Sequence, residues 1–407
     1  VVGSRPVPAA GRSVAALAGG GCVMAAQSDL SPVRIHGGPG PDGPATFDFS
    51  TTANACGPCP LALQAVLAAD RRHYPDPTYT ALKAQLADFH GVAPARVVLA
   101  ASASEFIFRL TGLTGPGPVA VPQHAFGDYA TAARGWGRAC MVHGERAADP
   151  ATLRWVTDPS SPLGQPVDPT PDLISQALMV LDRACEPLRL HGHSGWQASG
   201  ALDRVFQLWS PNKALGLTGV RAAYAIAPLG EVGAQWCRRL EAACPSWPLG
   251  AEGVALLQAW VQPPVQAWVA ASRDTLRGWQ ARQHAALQAL GWQVLPGVTN
   301  FNLVRPPWAT AAHGVEGAVC AGTDRDGDEP GPHAALHRET HHAIHHTLKA
   351  AGVAWRDTAS FGLPGAWRVS VQPPAAQDAM LAVLRPWRGD GWPPAGASAE
   401  TESGSTR

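Results

Sequence analysis

Short apolar segments, Arg96–Ala100, Val119–Pro122, Leu153–Val156, Leu178–Leu181 and Val205–Leu208, recur along the chain with helical or turn-rich stretches between them. Segments this short and this uniformly apolar predict strands covered on both faces, and the intervening stretches predict the helices that cover them. Parallel strands joined by crossover helices meet both demands, giving an α/β fold of three layers around a mostly parallel sheet. Ligands of such sheets sit beyond the carboxyl ends of the strands. The residues just after each apolar segment are therefore the candidates for chemistry.

Helical periodicity places further helices at Leu61–Ala69, Tyr79–His90, Gly250–Trp260 and Gln266–Leu290, with Pro263 and Pro264 marking the break between the last two. From Gly291 the pattern changes to strand-like Trp292–Leu295 and Phe301–Val304, a helix near His333–Ala351, strand-like Trp367–Val371 and a helix over Ala375–Leu384. A chain of 407 residues exceeds the roughly 250 to 300 that one core supports. The expected division is a disordered leader (1–30), a Gly/Pro-rich arm (31–60), a large ligand-binding domain (61–290), a smaller α+β domain (291–388) and a disordered tail (389–407). Met24 is an alternative start, which would make the residues before it translated upstream sequence.

Lys plus Arg and Asp plus Glu balance at 31 each, so no bulk field favours nucleic acid or an anionic membrane, and the expected ligand is a small molecule. No apolar run is long enough for a bilayer, which predicts a cytoplasmic protein. The eight cysteines are scattered, unlike a disulfide scaffold. Cys56-Gly-Pro-Cys59 has redox-pair spacing, but no short redox domain surrounds it, and it is read as a tight turn with two free thiols.

The most informative string is Leu208-Trp-Ser-Pro-Asn-Lys213-Ala-Leu-Gly-Leu-Thr-Gly-Val-Arg221. A lysine inside a fold is costly unless paired or chemically used, and Ser210 and Arg221 around it suit a phosphate. On its residues alone the string is either such a site or a surface loop. Ser102, Ala103 and Ser104 open a helix after Arg96–Ala100, either cradling an anion on free amides or forming an ordinary serine cap. Asp182 ends Leu178–Leu181, where its carboxylate faces the ligand crevice and can pair with a protonated ring nitrogen. Phe126 either stacks on a ligand ring or packs in the core. Arg356 and Arg368 either grip substrate anions or form rim salt bridges. His337, His341 and His345 recur every four residues, but the helix lacks HExxH and is read as solvated rather than metal-binding. Asp324-Arg-Asp-Gly-Asp328 has its glycine too early for a calcium loop and is read as an exposed acidic turn.

Together these residues resemble the fold-type I pyridoxal-phosphate aminotransferase superfamily, and within it the histidinol-phosphate aminotransferase and threonine-phosphate decarboxylase group, over about His36 to Leu384. Ser210-Pro-Asn-Lys213 with Gly219-Val-Arg221 matches the group's Schiff-base lysine and phosphate signature. His36-Gly-Gly38, Asp48-Phe-Ser50, Asn54, His73-Tyr-Pro-Asp-Pro77 and Ser360-Phe-Gly-Leu-Pro-Gly365 resemble the decarboxylases in particular. The resemblance implies pyridoxal 5'-phosphate as cofactor, held by Lys213, with Asp182 on the pyridine nitrogen and Phe126 stacked on the ring. Arg368 is implied on the substrate α-carboxylate, with Arg356 and, less directly, His36 as candidates for a distal phosphate. It also implies a homodimer in which Tyr74 reaches the partner's cofactor phosphate. Two positions depart from the pattern: Ser161 replaces the asparagine, and Cys185 the tyrosine, that normally hold the cofactor's ring oxygen, in Asp158-Pro-Ser-Ser161 and Asp182-Arg-Ala-Cys185. The first expectation is therefore a lyase decarboxylating a phosphorylated amino acid in cobalamin biosynthesis. The alternative is an aminotransferase of the histidinol-phosphate type, which needs a 2-oxoacid, and a third reading is a degenerate homologue without activity.

Overall fold

The computed structural model describes residues 36–143, 151–170, 174, 177–308 and 332–387, with side chains in the last span from 339 onward. The leader, the tail after 387, the Asp324–Asp328 turn and the His337 side chain lie outside the described residues, so the expectations for them are not addressed by the structure.

In chain order the strands are β1 (Phe47–Asp48), β2 (Val97–Ala100), β3 (Val119–Val121), β4 (Cys140–Val142), β5 (Leu153–Thr157), β6 (Leu178–Asp182), β7 (Phe206–Trp209), β8 (Ala223–Ile226), β9 (Gln293–Val294), β10 (Phe301–Arg305), β11 (Val353–Ala354), β12 (Arg356–Asp357) and β13 (Trp367–Ser370). Seven of them form one sheet in the order β2-β8-β7-β6-β5-β3-β4. Within it β8 runs antiparallel to both neighbours and the other pairings are parallel. The apolar segments of the sequence thus become a mostly parallel sheet with two further strands, β4 and β8, the second of which is buried along its whole length.

Helices α1 (Pro60–Leu67), α2 (Thr80–His90), α3 (Ala103–Leu113) and α4 (Gly127–Gly135) precede the long C-terminal ones. Side chains alternate across the strands into two cores. Val98, Val119, Trp155, Phe206 and Ala225 pack with Phe106 of α3 and Tyr129 of α4 on one face. Val97, Leu99, Trp209 and Tyr224 meet Leu82 of α2, Leu256 and Trp260 on the other. Three layers result, as strands without a solvent face require. Pro263 and Pro264 end one helix and begin the next: helix Pro263–Ala289 places them in its first turn, where a missing N–H costs nothing.

A second sheet, β12-β13-β10-β9, is antiparallel. Its core gathers Trp292, Trp355 and Trp367 with Phe49 and Met380. The N-terminal arm packs into this core through Phe49, and its β1 pairs in parallel with β11 as a separate two-stranded sheet. Among the described residues no helix is long and apolar enough to cross a membrane.

Candidate active site

Five chain segments reach the same end of the large sheet because parallel strands deliver their carboxyl termini together. β2 ends at Ala100 before Ser102, β3 at Val121 before Phe126, β5 at Thr157 before Ser161, β6 at Asp182, and β7 at Trp209 before Ser210 and Lys213. Thr157, Asp182 and Leu208 are in register across the three central strands.

Ser102 caps α3: its hydroxyl oxygen accepts from the Glu105 amide at 3.0 Å, while Glu105 accepts from the Ala101 amide at 3.2 Å. This orients the first amides of α3, including those of Ala103 and Ser104, which have no partner inside the helix. Ser210 is buried beside the strand end, while Arg221 is exposed on the turn before β8.

Asp182 is 4% exposed. Its carboxylate accepts from the Tyr129 hydroxyl at 2.6 Å and the Ala184 amide at 2.9 Å. Burial and the adjacent carboxylate raise the Tyr129 phenol well above its ordinary value, so it stays a neutral donor. Tyr129 lies three residues after Phe126, one helical turn along α4, and their rings meet edge to face at 5.9 Å. The sequence reading missed Tyr129, although the i, i+3 spacing from Phe126 was available as a signal.

The turn carrying Lys213 is braced from the arm. The Lys213 carbonyl accepts from the Asn54 amide at 2.9 Å, the Asn54 side chain donates to Ala214 O at 3.0 Å, and the Cys59 amide donates to Leu215 O at 2.8 Å. Gly216 has φ +66°, and a Cβ there would stand 2.6 Å from Gly57 O. Both cysteines of the Cys56–Cys59 turn are free thiols, and the turn packs under the lysine loop.

On the small-sheet side, Arg356 and Arg368 are register partners on β12 and β13. The Arg356 guanidinium lies 4.9 Å and that of Arg368 5.7 Å from the Phe361 ring centroid. Arg356 donates to Ser360 Oγ at 2.7 Å. Arg368 donates to Ser161 Oγ at 3.0 Å and Ser50 O at 2.9 Å, and its Nε is buried with no hydrogen-bond partner among the described residues. Burial, reinforced by the Arg356 charge, brings the Arg368 guanidinium down to about 10. Cys185 is buried within electrostatic reach of both Lys213 and Arg368, and burial pushes its thiol up. His36 approaches the Phe126 ring at 5.8 Å, and the His124 ring, not singled out from sequence, donates to Phe361 O at 2.8 Å.

One expected residue is placed apart from this group. Tyr74 is 77% exposed and stacks on Trp247 at 4.3 Å on the surface. His341 stacks on Trp367 at 4.0 Å, and among the described residues no cluster of His, Cys, Asp or Glu could hold a metal ion.

No protein-family profile matches the chain. It is 26% identical over 358 residues to a histidinol-phosphate aminotransferase of Jannaschia sp. (strain CCS1), covering 83% of this chain and 89% of that protein. Among solved structures it resembles histidinol-phosphate aminotransferase from Sinorhizobium meliloti in complex with pyridoxal-5'-phosphate, with TM-score 0.66, 18% identity, and 84% and 91% of the two chains covered. It also resembles L-threonine-O-3-phosphate decarboxylase from Porphyromonas gingivalis, with TM-score 0.62, 20% identity, and 83% and 97% covered. Fold and sequence similarity together place the chain in the fold-type I pyridoxal-phosphate superfamily.

Proposed function

We propose that this chain is a pyridoxal-phosphate-dependent aminotransferase acting on a small amine that carries an anionic group, of the histidinol-phosphate type. The observation that carries the reading is the Arg356–Arg368 pair on adjacent strands, two cations sharing the Phe361 face beside Ser161 and Cys185. Two close guanidiniums repel each other, and an anion laid against them relieves that cost.

The residues present fit pyridoxal phosphate. A buried, doubly hydrogen-bonded carboxylate at Asp182 suits a pyridinium, the α3 amides with Ser210 suit a phosphate, and Lys213 suits a carbonyl carbon. When bound, the cofactor supplies an electron-withdrawing ring. Asp182, held by Tyr129, keeps the ring nitrogen protonated. Lys213 Nζ anchors the cofactor and moves the substrate's α-proton. Phe126 covers one ring face. Ser161 accepts from Arg368, so its own hydroxyl hydrogen is left to serve the ring oxygen, while the buried Cys185 thiol is the weaker donor there. Arg221 joins the phosphate site, and the exposed Tyr74 reaches the site of a second copy in a homodimer.

The sequence relatives named histidinol-phosphate aminotransferases favour transamination over decarboxylation. The decarboxylase reading stands second, favoured by the arm: His36 lies against Phe126, and Gly38 N donates to Ser50 Oγ at 2.8 Å beside the Arg368 contact. Supplying histidinol phosphate with 2-oxoglutarate and measuring glutamate tests the proposal. Glutamate formation supports it; carbon dioxide from threonine phosphate, with no glutamate formed, would replace it by the second reading.

A further inference from the structure

The turn after β6 presents different side chains to the two faces of the sheet. Asp182 goes to the Tyr129 side, whereas Arg183 and Glu186 line a cavity of about 590 Å³ on the other. Phe89, Trp209 and Trp260 also line this cavity, together with Arg273.

Arg183 is 4% exposed, with its guanidinium 4.5 Å from the Trp209 ring centroid. Among the described residues its only ion pair is to Glu186, at 3.2 Å. That carboxylate is shared, since Arg189 binds it at 2.8 Å while Asp158 binds Arg189 at 2.8 Å, so Arg183 stands at the edge of a buried network of two cations and two anions. Arg183 Nε and Trp209 Nε1 are both buried and have no hydrogen-bond partner among the described residues. A buried donor without a partner is costly, so a ligand able to accept from such donors gains more than one meeting an exposed arginine. The other lining charges, Arg96 and Asp203, neutralise each other at 2.7 Å. Arg273 then adds a second cation. The site offers one buried guanidinium and one indole N–H beneath aromatic walls, in a volume suited to a small organic molecule.

We propose that this cavity, on the face of the sheet opposite Tyr129 and Asp182, binds a small organic carboxylate with an apolar body. The carboxylate oxygens accept from Arg183 Nε and Trp209 Nε1, which a side-chain shift on binding uncovers, and the body lies against Phe89 and Trp260. The site is separate from the Arg356–Arg368 pair, yet it grips the turn that carries Asp182 and Cys185.

Calorimetric titration of the cofactor-loaded protein with benzoate, and with benzamide as its uncharged counterpart, tests this. Benzoate should bind saturably and benzamide should not. Arg183→Gln should weaken benzoate about tenfold or more. Arg273→Gln, at a half-buried position, should weaken it by a smaller factor and keeps the test open if Arg183→Gln does not fold. In Arg368→Gln, which removes the other anion site, saturable benzoate binding should persist. No saturable benzoate binding, or binding lost in Arg368→Gln but kept in the Arg183 and Arg273 variants, would overturn the proposal.

Discussion

The Tyr129 hydroxyl donates to the Asp182 carboxylate across 2.6 Å, inside a site where both side chains are almost wholly buried. A carboxylate removed from water needs such donors to remain charged. Tyr129→Phe removes the hydroxyl and keeps the packing against Trp155, 4.8 Å away. The expected cost is about 2 kcal/mol of stability without cofactor, read by urea denaturation, together with faster cofactor loss. Unchanged stability and retention would show that Asp182 does not depend on this bond.

The Lys213 turn should be sensitive at its brace. Gly216→Ala places a Cβ 2.6 Å from Gly57 O at φ +66°, so the loop or the Cys56–Cys59 turn must shift. We expect a loss of about 2 kcal/mol and weaker cofactor binding, measured by dialysis and absorbance. Serine at both Cys56 and Cys59 should instead leave activity at the unsubstituted level in the same assay, since neither thiol is assigned a chemical role.

How much of this was legible beforehand follows from range. The sheet announced itself because short apolar runs, each ending in a polar or small residue, are local patterns; Asp182 and Lys213 were found by that route. β8 escaped because Ala223-Tyr-Ala-Ile226 is half alanine, a residue with little strand preference. The Arg368–Ser50 and Asn54–Lys213 contacts span hundreds of residues or lie in the irregular arm, where no period exists to read. Tyr129 was hidden differently: a tyrosine on the inner face of a helix looks like core, and only the Asp182 carboxylate opposite gives it another purpose.

Arg368 gives the anion site a pH limit. With its guanidinium at about 10, it loses charge as pH rises through that value, whereas an ordinary arginine would stay charged. The KM for an anionic substrate should therefore climb above about pH 10. Arg368→Lys should raise KM even at neutral pH, because a point charge cannot span Ser161 and Ser50 together. A KM that is flat with pH would place the anion elsewhere.

Acid should destabilise the fold through His90. Burial takes its imidazole from 6.5 down to about 3. Between those values the unfolded chain binds a proton that the folded ring refuses. This contribution is whole above about pH 6.5 and is lost as pH falls toward 3, by up to about 1.4 kcal/mol per unit. His90→Gln can still bond Tyr224 without titrating and should flatten the acid limb of urea midpoints against pH.

Covalent attachment at Lys213 is the central claim, and borohydride reduction of the cofactor-loaded protein followed by peptide mass analysis tests it most directly. The predicted result is a pyridoxyl group on the peptide containing Lys213, absent from Lys213→Ala. A label on another lysine, or none despite intact folding and added pyridoxal phosphate, would contradict it.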